Sequence, residues 1–208
     1  MPLVKHLGKL AYRDAWAVQR HTQEAVIAGE EASTFLVVEH PPVYTLGRRR
    51  LSANNLVDVG DVEVVEVERG GDVTFHGPGQ MVVYPILRLS NDWKDLHRVL
   101  RGLEEAAIRT CEDFGLTAGR DERNTGAWVN QRKICAIGIG CRKWVTWHGM
   151  ALNVSTDLRY FKRIHPCGMD ADLVTSMARE LDETPAWNVV QTKLLLHLQS
   201  IFSTVDHD

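Results

Sequence analysis

Three segments of the chain carry residue types on which group-transfer chemistry depends. The first is Arg69-Gly70-Gly71-Asp72-Val73-Thr74-Phe75-His76-Gly77-Pro78-Gly79-Gln80. Glycines at this density cost backbone entropy, and their physical use is close approach of the backbone to another strand or to a ligand. Arg69 and His76 add groups that could fix a polar substrate. The plain alternative is a hairpin or bulged connection. The run is not GxxxxGK[ST], and it lacks the strand-turn-helix context of a dinucleotide loop.

The second segment is Arg132-Lys133-Ile134-Cys135-Ala136-Ile137-Gly138-Ile139-Gly140. A lysine entering an apolar strand either projects to solvent at a sheet edge or sits partly buried, where desolvation favours its neutral form. Cys135, two residues on, can share its face. The third is His165-Pro166-Cys167-Gly168-Met169-Asp170, with a cysteine between a rigid proline and a permissive glycine, ahead of a helical stretch. Backbone donors and a positive helix end there would favour thiolate; a structural loop cysteine is the alternative. His165 is a possible base for a Cys-His arrangement, and His40, His76 and His148 are equally available to a folded site.

Elements must bring these segments together. The spacing predicts a helix over residues 9–29, with Leu10, Val18, Ala25 and Val26 on an imperfect apolar face. Thr34–Glu39 is an apolar strand stopped by His40-Pro41-Pro42. An extended path runs to Gly47, and Asp61–Glu68 and Gln80–Ile86 are further strands. Over 92–114, Trp93, Leu96, Leu100, Leu103, Ala107, Cys111 and Phe114 form one helical stripe, ended by Gly115. Strand-like stretches fill 126–154, and a short helix is expected to occupy 171–181. A final helix follows Thr184 as N-cap and Pro185 at the first helical position. Strand clusters separated by helices favour a single α/β or α+β domain with a largely antiparallel or mixed sheet. Strict βαβ repetition, and with it a dinucleotide-binding fold, is absent.

The length of 208 residues suits one self-sufficient domain. With 24 basic and 27 acidic residues the net charge is −3, so neither nucleic acid nor anionic membrane is an expected partner. A local excess remains: Arg132, Lys133, Arg142, Lys143, Arg159, Lys162 and Arg163 face only Asp157 between positions 131 and 163. It could receive an acidic carrier domain, or be a solvated face. The four cysteines form no CxxC pair, and no HExxH, cysteine knuckle or calcium loop calls for a metal. Without a signal-like or membrane-spanning apolar run, the expected setting is cytoplasmic. The charge is compatible with a monomer.

Taken together, HPPVYTLGRR, RGGDVTFHGPGQMVVYPI, TGAWVNQRKICAIGI, WHGMALNV and IHPCG, in this order, closely resemble the lipoyl(octanoyl) transferases, or lipoate-protein ligase B family, over nearly the whole chain. The resemblance implies a biotin/lipoate ligase-like fold: one catalytic domain over residues 1–208, with a central mixed sheet, a smaller sheet and flanking helices. It implies transfer of an octanoyl group from octanoyl-acyl carrier protein to a lysine of lipoyl domains, those of 2-oxoacid dehydrogenase complexes and the glycine cleavage H protein. No cofactor is implied. Cys167 would be the thiol that becomes acylated and Lys133 its general acid/base partner. Arg69, Gly70, Gly71, His76 and Gly77 would form one wall of the substrate site. Ala136, Ile137, Gly138, His148, Gly149 and Ala151 would form the rest. The rivals are an ATP-dependent lipoate or biotin ligase, which would make an acyl-adenylate from a free acid, a cysteine hydrolase, and a non-catalytic module binding an acidic carrier domain.

Overall fold

The computed structural model describes residues 1–48, 55–165 and 170–206. Among these, seven strands form the main sheet, in the order β1-β2-β6-β10-β9-β8-β7. They are β1 (Leu3–Lys9), β2 (Thr34–Glu39), β6 (Gln80–Ile86), β7 (Ala118–Gly119), β8 (Gly126–Val129), β9 (Arg132–Arg142) and β10 (Val145–Asn153). A second sheet places β3 (Val43–Leu46) between β4 (Glu63–Glu66) and β5 (Thr74–His76). Both sheets are mixed. β1 runs parallel to β2, and β3 parallel to β4, while the remaining pairs are antiparallel.

Helix α2 (Leu96–Glu112) and helix α4 (Trp187–Ile201) pack on one face of the main sheet. Leu103, Cys111, Leu194, Leu198 and Phe202 meet Ile134, Cys135, Met150 and Leu152 there. Helix α1 (Tyr12–Ala28) covers part of the opposite face through Tyr12, Ala15 and Val26. The small sheet has its own core of Tyr44, Phe75, Phe161 and Ile164. β6 is buried along its whole length, as befits a strand with a neighbour on each side and layers above and below.

The imperfect face of α1 has a physical reason. Gln19, Thr22 and Gln23 are buried on it, and the two glutamines bond to β10: Gln23 Nε2 donates to Val145 O at 2.9 Å, and Gln19 Oε1 accepts from His148 N at 3.0 Å. Cys111 is core, its thiol pushed up to about 12 by burial.

Four expectations are corrected. Helix α1 starts at Tyr12 and not at residue 9, because Lys9 ends β1, an edge strand with mostly exposed side chains held by its backbone pairing to β2. Helix α2 starts after Asp95, whose carboxylate accepts from His97 N at 2.8 Å, so Trp93 belongs to a preceding 3₁₀ turn and Leu96 is exposed. Helix α4 starts after Ala186 with no side-chain cap bond, so Thr184 caps nothing. The stretch 171–181 is a 3₁₀ turn, Ala171–Leu173, and a single α-turn, α3 (Met177–Glu180). It breaks where Val174 bridges Lys133 and Thr175 N bonds to Lys133 O at 2.9 Å. Elements this short supply little of the helix dipole expected to assist Cys167.

Candidate active site

A cavity of about 230 Å³ opens on the face of the main sheet that also carries α1. Its floor comes from β6, β9 and β10 through Val82, Tyr84, Ala136, Gly138, Gly149 and Ala151. Small residues leave the sheet surface low, so a slender apolar group can lie along it. One wall is the Arg69–Thr74 segment. It is drawn onto the floor by a backbone bond from Gly70 N to Ile139 O at 3.0 Å. A Cβ on Gly138 would stand 2.8 Å from Gly70 O, so the approach of wall to floor requires glycine there.

Arg69 is buried, and its guanidinium is committed to the protein: Nη2 donates to Thr45 O at 2.8 Å and Thr45 Oγ1 at 2.9 Å, and Nη1 to Gly70 O at 3.1 Å. It fastens the wall to β3. His76 lines the cavity with its ring stacked on Tyr12. Because Gln80 Nε2 already donates to Phe75 O and Asn153 Oδ1, Gln80 Oε1 accepts from His76 Nδ1 at 2.7 Å. Behind it, His40 Nδ1 donates to Leu10 O at 2.8 Å, so His40 Nε2 accepts from the Tyr84 hydroxyl at 2.7 Å. His148 holds a left-handed backbone at φ 55°, and its buried ring nitrogens have no hydrogen-bond partner among the described residues.

Burial pushes the pKa of His76 and His148 down to about 3 and that of His40 to about 4. For His76 the neighbouring His40 adds to the effect, and for His148 the Arg69 charge does. All three imidazoles are neutral at pH 7 and are poor proton acceptors. Burial likewise raises Tyr12 to about 12 and carries Tyr84 well above the ordinary range.

Lys133 also lines the cavity. It is 6% exposed, because β9 has β10 on one side and β8 on the other, and the solvent-edge alternative is excluded. The register of β8 against β9 shifts between Ala127 and Trp128, leaving Ile134 as an extra residue. That bulge separates Lys133 from Cys135. Lys133 and Ala136 line the cavity, whereas Ile134 and Cys135 are core. Burial carries the Cys135 thiol far above its ordinary pKa, which favours the protonated thiol over the nucleophilic thiolate. Lys133 Nζ donates to Asn124 Oδ1 at 2.8 Å. Asn124 lies in the loop between β7 and β8, where no strand or helix pattern marks it.

Of the thirteen positions singled out from the sequence, the cavity gathers Lys133, Arg69, Gly70, Gly71, His76, Ala136, Ile137, Gly138, His148, Gly149 and Ala151. Gly77 lies off it, against the Phe75 ring. Cys167 falls outside the described residues. Val174, farther along the same segment, bridges Lys133 and lines the cavity. Of the basic excess, Arg132 pairs with the buried side chain of Glu180, while Arg142, Arg159 and Lys162 pair at the surface with Glu24, Asp157 and Asp172. Among the described residues, no cluster of three His, Cys, Asp or Glu side chains could hold a metal, and no helix is long and apolar enough to cross a membrane.

Residues 11–199 match the lipoyl protein ligase A/B catalytic domain family. The chain is 44% identical to the octanoyltransferase of Syntrophotalea carbinolica over 97% of this chain and 94% of that one. It is 49% identical to the octanoyltransferase of Rubrobacter xylanophilus over 84% and 81% respectively. The chain belongs to the octanoyltransferase family.

The fold of this octanoyltransferase family member is shared with ligases. A lipoate protein ligase from Thermoplasma acidophilum with bound lipoic acid superposes with a TM-score of 0.77 at 16% identity, covering 98% of this chain and 86% of that one. Biotin protein ligase from Aquifex aeolicus in complex with biotin and ATP gives 0.60 at 12%, covering 98% and 72%. As a member of the octanoyltransferase family the chain is an acyltransferase, and its fold is the biotin/lipoate ligase architecture, with the mixed sheet, smaller sheet and flanking helices expected from its motifs.

Proposed function

We propose that the protein moves an octanoyl group from octanoyl-acyl carrier protein to a lysine of an apo-lipoyl domain, with Cys167 as the transient carrier and Lys133 as its proton partner. The observation that carries the reading is a buried lysine lining a cavity floored by alanine and glycine. A reactive amine and a slot for a slender apolar chain occur together. Burying the six methylenes of an octanoyl chain contributes about 5 kcal/mol before ordering costs.

In the first half-reaction Lys133 accepts the Cys167 proton as the sulfur attacks the thioester carbonyl. The tetrahedral adduct expels the pantetheine thiolate, which takes that proton from the Lys133 ammonium. In the second half, the neutral acceptor lysine attacks the Cys167 thioester. The amide forms, the Cys167–acyl bond breaks, and Lys133 takes up the proton lost by the amine. Exchange between thioesters keeps the acyl group activated throughout, so no adenylate is needed.

The test is transfer without ATP. Purified enzyme is mixed with octanoyl-acyl carrier protein and an apo-lipoyl domain, and acceptor mass is followed. Octanoylation of the domain lysine in the absence of nucleotide is the expected result. Modification that requires free octanoate and ATP would contradict it, as would release of octanoate to water in place of transfer.

A further inference from the structure

We propose that Asn124 is a positioning residue for Lys133, fixing its Nζ through the side-chain amide oxygen while leaving the proton free to move. This rests on the reading of Lys133 as the proton partner of Cys167.

Both ends of the 2.8 Å contact are held. The Lys133 carbonyl accepts from Thr175 N at 2.9 Å. The Asn124 carbonyl accepts from Trp128 Nε1 at 3.1 Å, and its N–H donates to Asp121 O at 3.4 Å. The loop bearing Asn124 hangs from α2 by the buried carboxylate of Glu104. Glu104 Oε1 accepts from Gly126 N at 3.0 Å, and Oε2 accepts from Arg120 Nε at 3.0 Å and Arg101 Nη1 at 2.7 Å. Asn124 is therefore presented to the lysine by a rigid frame.

The residue type matters as much as the place. A neutral amide oxygen accepts an N–H from the ammonium and from the amine alike. A carboxylate at the same position would favour the ammonium and, by repulsion, disfavour a thiolate beside it, raising both apparent pKa values of the pair. Asparagine orients the nitrogen without that bias. The titratable and charged groups lining the cavity besides Lys133, namely Tyr12, Arg69, Asp72, His76, Tyr84 and His148, together with Glu104 behind the loop, are the same in every variant at position 124.

Octanoyl transfer from octanoyl-acyl carrier protein to an apo-lipoyl domain is measured across a neutral-to-alkaline pH series for wild type, Asn124→Ala, Asn124→Asp and Lys133→Ala. Asn124→Ala should lower kcat roughly 10–100-fold, with both KM values within about twofold, the signature of lost orientation and retained binding. Asn124→Asp should move the ascending limb of the pH profile up by about one unit or more. Wild-type kcat in Asn124→Ala, or raised KM at constant kcat, overturns the proposal while an inactive Lys133→Ala leaves the reading of Lys133 standing. Wild-type turnover by Lys133→Ala removes that reading and the proposal with it. If Asn124→Ala fails to fold, the near-isosteric Asn124→Asp decides alone, and an unmoved limb overturns the proposal.

Discussion

A Cβ on Gly126 would lie 2.7 Å from Lys133 Cε and 2.2 Å from Cys135 O, so the lysine stem runs through space that the glycine leaves open. Gly126 also has φ 148°, a backbone that side chains rarely adopt. Both features tie the entry of β8 to the placing of the amine. Gly126→Ala is expected to destabilise the fold by about 1–3 kcal/mol. It should also lower kcat by more than the loss of folded protein explains, because the lysine stem is the part able to move. Chemical denaturation and steady-state kinetics on the same sample check this; unchanged kcat per folded molecule would contradict it.

Chain-length preference should reside in the floor. Ala136 on β9 and Ala151 on β10 are register partners and line the cavity together. Ala136→Leu puts a branched side chain where the acyl chain would lie. Transfer of octanoyl should fall by about 10-fold or more, at about 0.8 kcal/mol for each methylene displaced, while butanoyl transfer is largely kept. Competition between acyl carrier proteins loaded with the two chains measures the ratio directly. An equal loss for both would place the acyl chain elsewhere.

The buried histidines predict how stability depends on pH. His40, His76 and His148 have folded pKa values of about 4, 3 and 3, below the ordinary histidine value of 6.5. The unfolded chain therefore binds more protons than the folded one once pH drops below that ordinary value. Their stabilising contribution is present above about pH 6.5 and is lost as pH falls towards 4. The summed loss is on the order of several kcal/mol. Urea midpoints should fall steadily from neutral pH towards pH 5, and His40→Gln should flatten that slope. A midpoint independent of pH across this window would show that the imidazoles are already charged or exposed.

Some of this was legible in the residues, and the reasons differ by element. The strand stretches within 126–154 stand where β-branched and aromatic residues cluster between turn residues, and they became β8, β9 and β10. Helix α2 was visible because Leu103, Ala107 and Cys111 recur on a buried stripe. β1 was not visible. Its side chains are mostly exposed, so no apolar alternation marks it, and its stability comes from backbone pairing with β2. The setting of Lys133 was open between edge and interior because position in a sheet is a property of strand order, which pattern does not encode. The assumption that Cys135 shares its face failed through one extra residue, Ile134, in the pairing with β8. Asn124 carried no local signal at all. It becomes visible only when α2, through Glu104, brings its loop against β9.

The central claim concerns Cys167, and intact mass of the enzyme tests it most directly. Wild type and Cys167→Ala are incubated briefly with octanoyl-acyl carrier protein, with and without the apo-lipoyl domain, then quenched in acid. Wild type should gain one octanoyl group, mapped to Cys167, that disappears as the lipoyl-domain lysine is modified. Cys167→Ala should neither gain it nor turn over. Turnover by Cys167→Ala at the wild-type rate, or an adduct mapped to another residue and chased into product, would contradict the account.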